Sequence, residues 1–343
     1  MDIPWLKQFD ERNARGSIML DFYLERRKFK IPRAGVDVDV AGISYRLFRL
    51  SDKDPSVGMN VNSWVFKAKP RIVQQEDAGD EFDEYIAMKI CFFSSDDNSW
   101  KGRTRRQRFY REIEAMRRVN HGDSQDRVLS LYDDFEIDIR YHMHDGSSFI
   151  KKHAGYLMEY ADSDLGNFLT EEMENVPFSQ RVILCADVLR SLKWLHDHGV
   201  YHRDIKPNNF FMVGGKCKIG DLGLIRNRGE DDASVDGQHE RIGPIALMTP
   251  EAINKAYSIR TDRCWSVGEK SDIYQIAKLI WFILQFDIPN GIIKVADFVA
   301  KPDLSQELFG NVFRPALQYD ETTRPTIGQV CNSFELVMRR YLS

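Results

Sequence analysis

The chain has 343 residues, 29% of them charged, and a formal net charge of -4. This length can bury a substantial core, either as one two-part unit or as two small domains. The near-neutral balance argues against nucleic acid or an anionic membrane as a partner. The longest apolar stretch, 273–286, is interrupted by Gln275, Lys278 and Gln285, which indicates a buried helix rather than a membrane span.

The first 44 residues are predicted to form an N-terminal extension. Within them, residues 17–28 are predicted as a short amphipathic helix that ends in a basic stretch. This extension either packs on the body of the protein or acts as an arm that binds a partner. Residues 36–50 alternate between apolar and polar side chains and predict strands.

A single lysine interrupts the apolar strand predicted at 85–90, which follows an acidic loop at 74–84. Lys89 has apolar neighbours, and a buried ammonium group needs a partner. The alternative is an edge strand on which Lys89 faces solvent. The helix that follows carries eight lysines and arginines between 101 and 118, either as a solvated face or as a site for an acidic segment later in the chain.

Strands are predicted at 128–139 and 154–160, and helices at 165–169 and 178–199. The most informative segment, 201–224, follows with the sequence YHRDIKPNNFFMVGGKCKIGDLGL. Its two short apolar runs flank a Gly-Gly pair and predict a hairpin.

If those two strands pair, Asp204, Asn209 and Asp221 lie on one rim and Lys206 points the same way. Such a cluster suits phosphoryl transfer to a hydroxyl, which needs positioning and charge neutralisation more than covalent help. Asp221 and Asn209 offer oxygen ligands to Mg²⁺. Asp204 can accept the proton of the attacking hydroxyl, and Lys206 can offset the charge on the transferred group.

These residues carry a family resemblance. The triplet His202-Arg203-Asp204, with Asn209 five residues after the aspartate, resembles the catalytic loop of eukaryotic-like (Hanks-type) protein kinases. Residues 221–223, Asp-Leu-Gly, are similar to the metal-binding Asp-Phe-Gly triplet of that family. Each motif alone also fits an ordinary loop with a capping aspartate. Residues 243–245, Gly-Pro-Ile, which stand shortly before Pro250-Glu251, resemble in particular the bacterial-type serine/threonine kinases of this family.

The resemblance implies an α+β, bilobal protein-kinase-like fold. It places a small β-rich N-lobe at 45–157 and a larger helical C-lobe at 158–343. The implied cofactors are ATP and Mg²⁺, and the implied partner is a protein substrate. The five cysteines lack a CxxC pair and no N-terminal signal pattern is present, so the expected location is cytoplasmic.

The glycine-rich loop of kinases is matched only in part. Gly58, Asn60 and Ser63 stand at its three glycine positions, and Val65 stands where adenine would be covered. A plain hairpin turn explains the same residues. Fewer glycines imply a less close approach of the backbone to the phosphates.

Residues 86–89, Ile-Ala-Met-Lys, resemble the kinase strand V-A-I-K. The resemblance assigns Ala87 and Lys89 to the ATP site, with Lys89 holding the α and β phosphates. Glu112 matches the helical glutamate that pairs with this lysine, and Glu114 is its rival.

The sequence Met-Glu-Tyr-Ala at 158–161 resembles the hinge between kinase lobes. The backbone of Glu159 and Ala161 would bind adenine, and Asp164 would reach the ribose. A helix cap at Asp162 or Asp164 explains the same residues.

Three later residues match positions that form stabilising polar contacts in the kinase C-lobe. Glu251, in Thr-Pro-Glu, stands where kinases have Ala-Pro-Glu, and Arg324 matches the arginine that pairs with this glutamate. Asp272 resembles the aspartate that braces the catalytic loop, although a carboxylate in the first turn of a helix is favoured anyway.

The implied substrate class rests on conflicting residues. Lys206 follows the serine/threonine pattern, whereas Pro244 resembles the tyrosine-kinase segment. We favour serine or threonine because Lys206 lies close to the proposed base, Asp204.

Two alternative functions stay open. One is a pseudokinase that binds nucleotide without turnover, which the smaller number of glycines in the glycine-rich loop favours. The other is a small-molecule phosphotransferase of related fold.

Activation is predicted from the segment 225–243, whose one hydroxyl residue, Ser234, is a possible autophosphorylation site. In kinases with an arginine at position 203, a phosphate on this segment commonly pairs with it. We hypothesise that carboxylates of the segment dock on Arg203 and on the arginine-rich helix, which would make phosphorylation optional. A disordered acidic loop is the alternative. The carboxylates are those of Glu230, Asp231, Asp232, Asp236 and Glu240.

Overall fold

The computed structural model describes residues 19–24, 28–29, 31–40, 42–50, 62–71, 85–172, 175–231, 236, 240–257, 265–289, 291 and 293–342. The chain divides into two compact units. Unit 1 comprises residues up to 113 together with 130–160, and unit 2 comprises 114–129 together with the chain from 161 onward.

Unit 1 is built on one eight-stranded sheet with the order β2-β1-β7-β8-β6-β5-β4-β3. Only β1 and β7 run parallel; the other neighbouring pairs are antiparallel. The strands are β1 (Leu20–Tyr23), β2 (Lys28–Phe29), β3 (Val36–Val40), β4 (Ile43–Phe48), β5 (Ser63–Pro70), β6 (Ile86–Cys91), β7 (Leu131–His142) and β8 (Ser148–Glu159).

The helix predicted at 17–28 is wrong where the structure describes it, because Leu20–Tyr23 forms strand β1. Leu20 and Phe22 are buried while the residues after each are not, which is the two-residue period of a strand. The described part of the predicted extension therefore contributes three whole strands and the first two residues of β4 to the same sheet as β5 and β6.

The core of unit 1 is rich in aromatic rings. Phe22, Phe29 and Trp64 pack with ring centroids about 5 Å apart (5.0, 5.4 and 4.8 Å) at tilted or edge-on angles, a favourable arrangement for aromatic pairs. Next to them His153 is fully buried, and both of its ring nitrogens have partners: the Tyr141 hydroxyl and the Cys91 carbonyl, each at 2.9 Å.

Helix α1 (Trp100–Val119) begins in unit 1 and ends in unit 2. Residues 114–129 belong to unit 2 because Val128 forms a parallel bridge with Ile219, and the Leu129 and Ile219 amides donate to the carbonyls of Ile219 and Arg127. The lobe boundaries predicted at 45–157 and 158–343 stay a prediction.

Unit 2 is mainly helical. Its regular helices are α2 (Leu165–Glu171), α3 (Phe178–Asp197), α4 (Pro250–Tyr257), α5 (Glu269–Gln285), α6 (Pro302–Leu308), α7 (Arg314–Ala316) and α8 (Ile327–Leu342), with a π-helical turn, Phe309–Phe313, between α6 and α7. Helix α5 is buried along most of its length, which confirms the buried helix predicted at 273–286.

Short paired strands flank the loops of unit 2. The predicted hairpin is confirmed, with β11 (Phe210–Val213) antiparallel to β12 (Lys216–Ile219), and β9 (Ser163–Asp164) pairs with β11. β10 (Val200–Tyr201) pairs with β13 (Arg226–Asn227).

Among the described residues, no helix combines the length and the apolar character needed to cross a membrane. Cys91, Cys185, Cys217 and Cys331 are buried free thiols, as expected, and Cys264 lies outside the described residues.

Candidate active site

In unit 1, strand β6 presents Lys89 to helix α1. Lys89 is 6% exposed, and its Nζ lies 2.8 and 3.1 Å from the two carboxylate oxygens of Glu112, which is itself buried. The solvent-facing alternative for Lys89 is therefore wrong. Glu114 is exposed on the same helix, so Glu112 is the partner. Both charges are desolvated and depend on each other.

The strand register places other predicted nucleotide-binding residues beside Lys89. Val65 on β5 lies directly opposite Lys89, and Ala87 precedes Lys89 by two residues. Because side chains alternate between the faces of a sheet, these three share one face. Ser63 begins β5, whereas Gly58 and Asn60 lie outside the described residues.

The predicted hinge residues have local partners. At the end of β8, the Glu159 amide donates to the Ser130 carbonyl at 2.9 Å, and the Glu159 carboxylate accepts from the Ser130 amide at 3.1 Å. Ala161 is the first residue of the part of unit 2 that follows.

Asp164 is the N-cap of helix α2. Its carboxylate accepts a hydrogen bond from the Asn167 main-chain amide at 2.9 Å, and others from the side-chain amides of Asn167 and Asn208. The cap interpretation of Asp164 is thus confirmed. A contact with ribose stays a prediction.

In unit 2, Lys206 and Asn209 converge on the Asp204 carboxylate. Lys206 Nζ donates to Asp204 Oδ2 at 2.8 Å, and Asn209 Nδ2 donates to the same oxygen at 3.0 Å and to the Asp204 carbonyl at 2.7 Å. Because the amide nitrogen of Asn209 makes both bonds, its Oδ1 is the atom that faces away from Asp204.

His202 links this loop to the end of the hairpin. Its Nδ1 accepts from the Asp204 amide at 3.3 Å, so Nε2 carries the proton that is donated to the Gly220 carbonyl at 3.0 Å. The Gly220 amide in turn donates to the Asn209 carbonyl. Asp221 follows directly and is exposed.

Two non-glycine residues here adopt the left-handed backbone conformation: Arg203 at φ 66° and Asp221 at φ 54°. Such strain persists only where the surroundings hold it, and it concentrates at functional sites. The catalytic candidates Asp204 and Asp221 therefore lie at or next to strained positions.

Helix α5 supplies the bonds that hold the loop in this conformation. Asp272 accepts from the His202 amide at 2.8 Å and from the Arg203 amide at 2.6 Å, which confirms its bracing role. Gln275 accepts from the Ile205 amide at 2.9 Å. The sequence interpretation missed Gln275, although a polar residue three positions after Asp272 in an apolar helix was a usable signal.

The ion pair predicted between Glu251 and Arg324 is present and buried. Arg324 donates from its two terminal nitrogens to the two carboxylate oxygens, at 2.8 and 2.9 Å. Ser271 donates to the same carboxylate at 2.7 Å. Burial alone would raise the pKa of Glu251, but the charge of Arg324 and the hydrogen bonds from Arg324 and Ser271 together outweigh burial, and the pKa lies below its ordinary value.

A family model described as a protein kinase domain matches residues 78–334. The chain belongs to the protein kinase family. Serine/threonine-protein kinase mph1 of Schizosaccharomyces pombe is 23% identical over 223 residues, which are 63% of this chain and 29% of that relative.

Two further relatives give similar values. Serine/threonine-protein kinase MPS1 of Saccharomyces cerevisiae is 27% identical over 215 residues, 60% of this chain and 25% of its own. Dual specificity protein kinase TTK of Mus musculus is 24% identical over 218 residues, 60% of this chain and 24% of its own. The matches span less than a third of the length of these relatives. All three are eukaryotic, so the similarity to bacterial members stays a prediction.

One acidic residue of the segment 225–243 contacts Arg203. The two terminal nitrogens of Arg203 donate to the Asp236 carboxylate at 2.8 and 2.9 Å. This agrees with the hypothesis that carboxylates of the segment dock on Arg203. Ser234 lies outside the described residues.

Proposed function

We propose that the chain is an ATP-dependent protein kinase that phosphorylates serine or threonine. The observation that carries this proposal is the braced loop in which Lys206 and Asn209 both bind the Asp204 carboxylate. A carboxylate held in this way can accept the proton of an attacking hydroxyl without first having to be ordered.

Asp204 acts as the base in this proposal, and Lys206 offsets the charge on the transferred phosphoryl group. Lys206 is about one-third exposed while Asp204 is nearly buried, so the ammonium group can reach a phosphate and still contact Asp204.

Magnesium suits the donors that this loop and hairpin offer. Asn209 presents an amide oxygen and Asp221 an exposed carboxylate, and Mg²⁺ prefers such hard oxygen ligands, with phosphate oxygens and water completing its shell. When bound there, the ion would neutralise charge on the phosphates. We therefore propose Asn209 and Asp221 as the metal ligands.

For the nucleotide, we propose that Lys89 binds the α and β phosphates and that Glu112 holds Lys89 in place. Val65 and Ala87 share the face of Lys89 and would cover the adenine ring. Since the Glu159 amide already donates to Ser130, Glu159 would contribute its carbonyl oxygen to the base, and Ala161 its backbone. Gly58, Asn60, Ser63 and a ribose contact by Asp164 complete the proposed site.

We propose that unit 1 and unit 2 correspond to the small and large lobes of the kinase fold. A cytoplasmic location and a protein substrate are part of the same proposal. Two of the relatives named above are called serine/threonine kinases and one is called dual-specificity, which supports serine or threonine as the first choice and keeps tyrosine in the test.

The test is incubation of the purified chain with Mg-ATP and a degenerate Ser/Thr/Tyr peptide library, with phosphosites read by mass spectrometry. We expect phosphate on serine and threonine peptides, and a loss of about 100-fold to 10,000-fold in kcat for Asp204→Asn, since that is the usual contribution of a general base. Asp303→Asn, a change of the same kind at an exposed residue, should behave as wild type.

Three outcomes would contradict the proposal. Binding of ATP without turnover would indicate a pseudokinase. Phosphorylation of sugars or aminoglycosides but never of peptides would indicate a small-molecule phosphotransferase. Equal activity of Asp204→Asn and wild type would remove Asp204 from the mechanism.

A further inference from the structure

Three charged side chains meet in the interior of unit 2. The Arg203 side chain is fully buried, that of Asp236 is 1% exposed, and that of Lys255, on helix α4, is 12% exposed. Arg203 forms two parallel hydrogen bonds to the two oxygens of Asp236, and Lys255 Nζ lies 2.6 Å from one of them. Fork-to-fork pairing of this kind is both strong and geometrically restrictive.

The same arginine is bonded to both parts of the catalytic centre. Its main-chain amide donates to Asp272, and it directly precedes Asp204. Its Nε donates at 2.6 Å to the carbonyl of Leu224, the residue after the Asp-Leu-Gly triplet. The position of one guanidinium group is therefore coupled to the loop of the proposed base and to the turn that carries Asp221.

A buried guanidinium needs an anion at this place, because a buried charge that loses its partner is strongly destabilising. Asp236 supplies that anion in the described part of the chain. Burial would raise the pKa of its carboxyl, but the hydrogen bonds and charges of Arg203 and Lys255 outweigh burial and keep the pKa below the ordinary value. Asp236 is accordingly ionised at neutral pH.

Lys255 extends the cluster to helix α4. This helix also carries Glu251, whose pair with Arg324 holds it in the body of unit 2. Asp236 thus connects the segment 225–243 to an arginine of the catalytic loop and to a lysine of an anchored helix. Kinase activation segments are commonly ordered when a phosphate makes such contacts with arginine.

We propose that Asp236 is a positioning residue that takes the place of an activating phosphate, fixing Arg203 and, through it, the catalytic loop. This inference rests on the proposed kinase function and adds its mode of activation. The kinase is active without phosphorylation of the segment 225–243. Ser234, two residues before Asp236, is dispensable for that activity.

The experiment uses the full chain after phosphatase treatment, with intact mass confirming that no phosphate remains before the assay. Initial rates on the peptide library are then measured for wild type, Asp236→Asn, Ser234→Ala and Asp303→Asn. We expect unphosphorylated wild type, Ser234→Ala and Asp303→Asn to share one kcat. Asp236→Asn should lower kcat by about tenfold to 100-fold, the scale expected for a misplaced catalytic group, with a smaller change in the KM for ATP.

Chemical rescue separates positioning from a general loss of structure. Asp236→Ala leaves space for a small carboxylate between Arg203 and Lys255, so added acetate should restore part of its kcat, whereas chloride at equal ionic strength should not. Acetate should have no effect on wild type or on Asp303→Asn. Absence of rescue in a variant with wild-type thermal stability would overturn the positioning role.

Two results would contradict the proposal directly: wild type that is active only when phosphorylated, or Asp236→Asn with wild-type kcat. If wild type transfers no phosphate at all, the proposed function fails, and amide hydrogen exchange still tests the role of Asp236. Faster exchange at residues 202–205 and 224–227 in Asp236→Asn than in Asp303→Asn would uphold the ordering of the loop by Asp236. Equal exchange would overturn it.

Discussion

The two units differ in how their buried polar groups are paired. In unit 1 the backbone is satisfied by the ladder of an eight-stranded sheet, and His153 in its core is held by a hydroxyl and a carbonyl rather than by a charge. In unit 2, irregular loops are held by buried carboxylates and guanidinium groups, as in the contacts of Asp272 with His202 and of Arg324 with Glu251.

The difference follows from where the backbone bonds go. Buried main-chain amides must be paired, and a strand pairs them with its neighbours. The loop 201–206 has no such neighbour along most of its length, so its amides are paired with Asp272 and Gln275 of helix α5. The catalytic candidates of unit 2 thus depend on charge, whereas unit 1, apart from its buried pair of Lys89 and Glu112, depends on apolar packing and ladder bonds.

Removing the charge at Arg324 is expected to give the largest effect. Arg324→Met leaves Glu251 buried without its guanidinium, which should lower the free energy of unfolding by about 3–5 kcal/mol. The double variant Arg324→Met, Glu251→Gln should lose less than the sum of the single changes, because the two residues interact directly.

Chemical denaturation of these variants provides the measurement. Arg339→Met, at an exposed pair with Glu335, is the matched control and should stay close to wild type. A cost for Arg324→Met no larger than for Arg339→Met would show that unit 2 does not rely on its buried charges.

The core of unit 1 should instead respond to acid through His153. Burial lowers the pKa of His153 to about 4 from its ordinary 6.5. Between these two pH values the His153 ring is protonated in the unfolded chain but neutral in the folded chain. The free energy of unfolding therefore falls as the pH is lowered. From about pH 6.5 to about pH 4.5, we expect wild type to lose about 2 kcal/mol through this residue.

Urea unfolding at several pH values compares wild type with His153→Gln, which should show a flatter pH dependence in that window. The carboxyl groups with lowered pKa, Glu251 and Asp236 among them, weaken the fold only at lower pH, below their ordinary values. An unchanged slope in His153→Gln would mean that His153 is not the group that titrates.

The smallest expected effect is at the exposed cap of helix α2. Asp164→Ala should cost about 1 kcal/mol through the lost bond to the Asn167 amide, while Asp164→Asn, which can still cap, should cost a few tenths. Thermal unfolding measures both changes. A KM for ATP that rises in both variants would add the ribose role to the cap, and an unchanged KM would leave Asp164 as a cap alone.

Much of the candidate site was predictable from the amino-acid sequence, because its parts are local in the chain. The hairpin, the cluster of Asp204 with Lys206 and Asn209, and the family all follow from residues close together in the chain, where spacing and strand period are sufficient. The buried partners of Lys89 and Glu251 were also predictable from the sequence. A charge among apolar residues needs a partner, and the family pattern indicated which residue it is.

Other contacts could be recognised only once the fold was known, because they join residues far apart in the chain. Gln275 accepts a hydrogen bond from the loop 201–206 from about 70 positions away, and the fold brings Asp236, one of the five candidate carboxylates, to Arg203. The strand at Leu20–Tyr23 was misjudged for the same reason, since its partner β7 lies more than 100 residues later. Short apolar patterns suit a helix or a strand until a neighbour is available to pair with them.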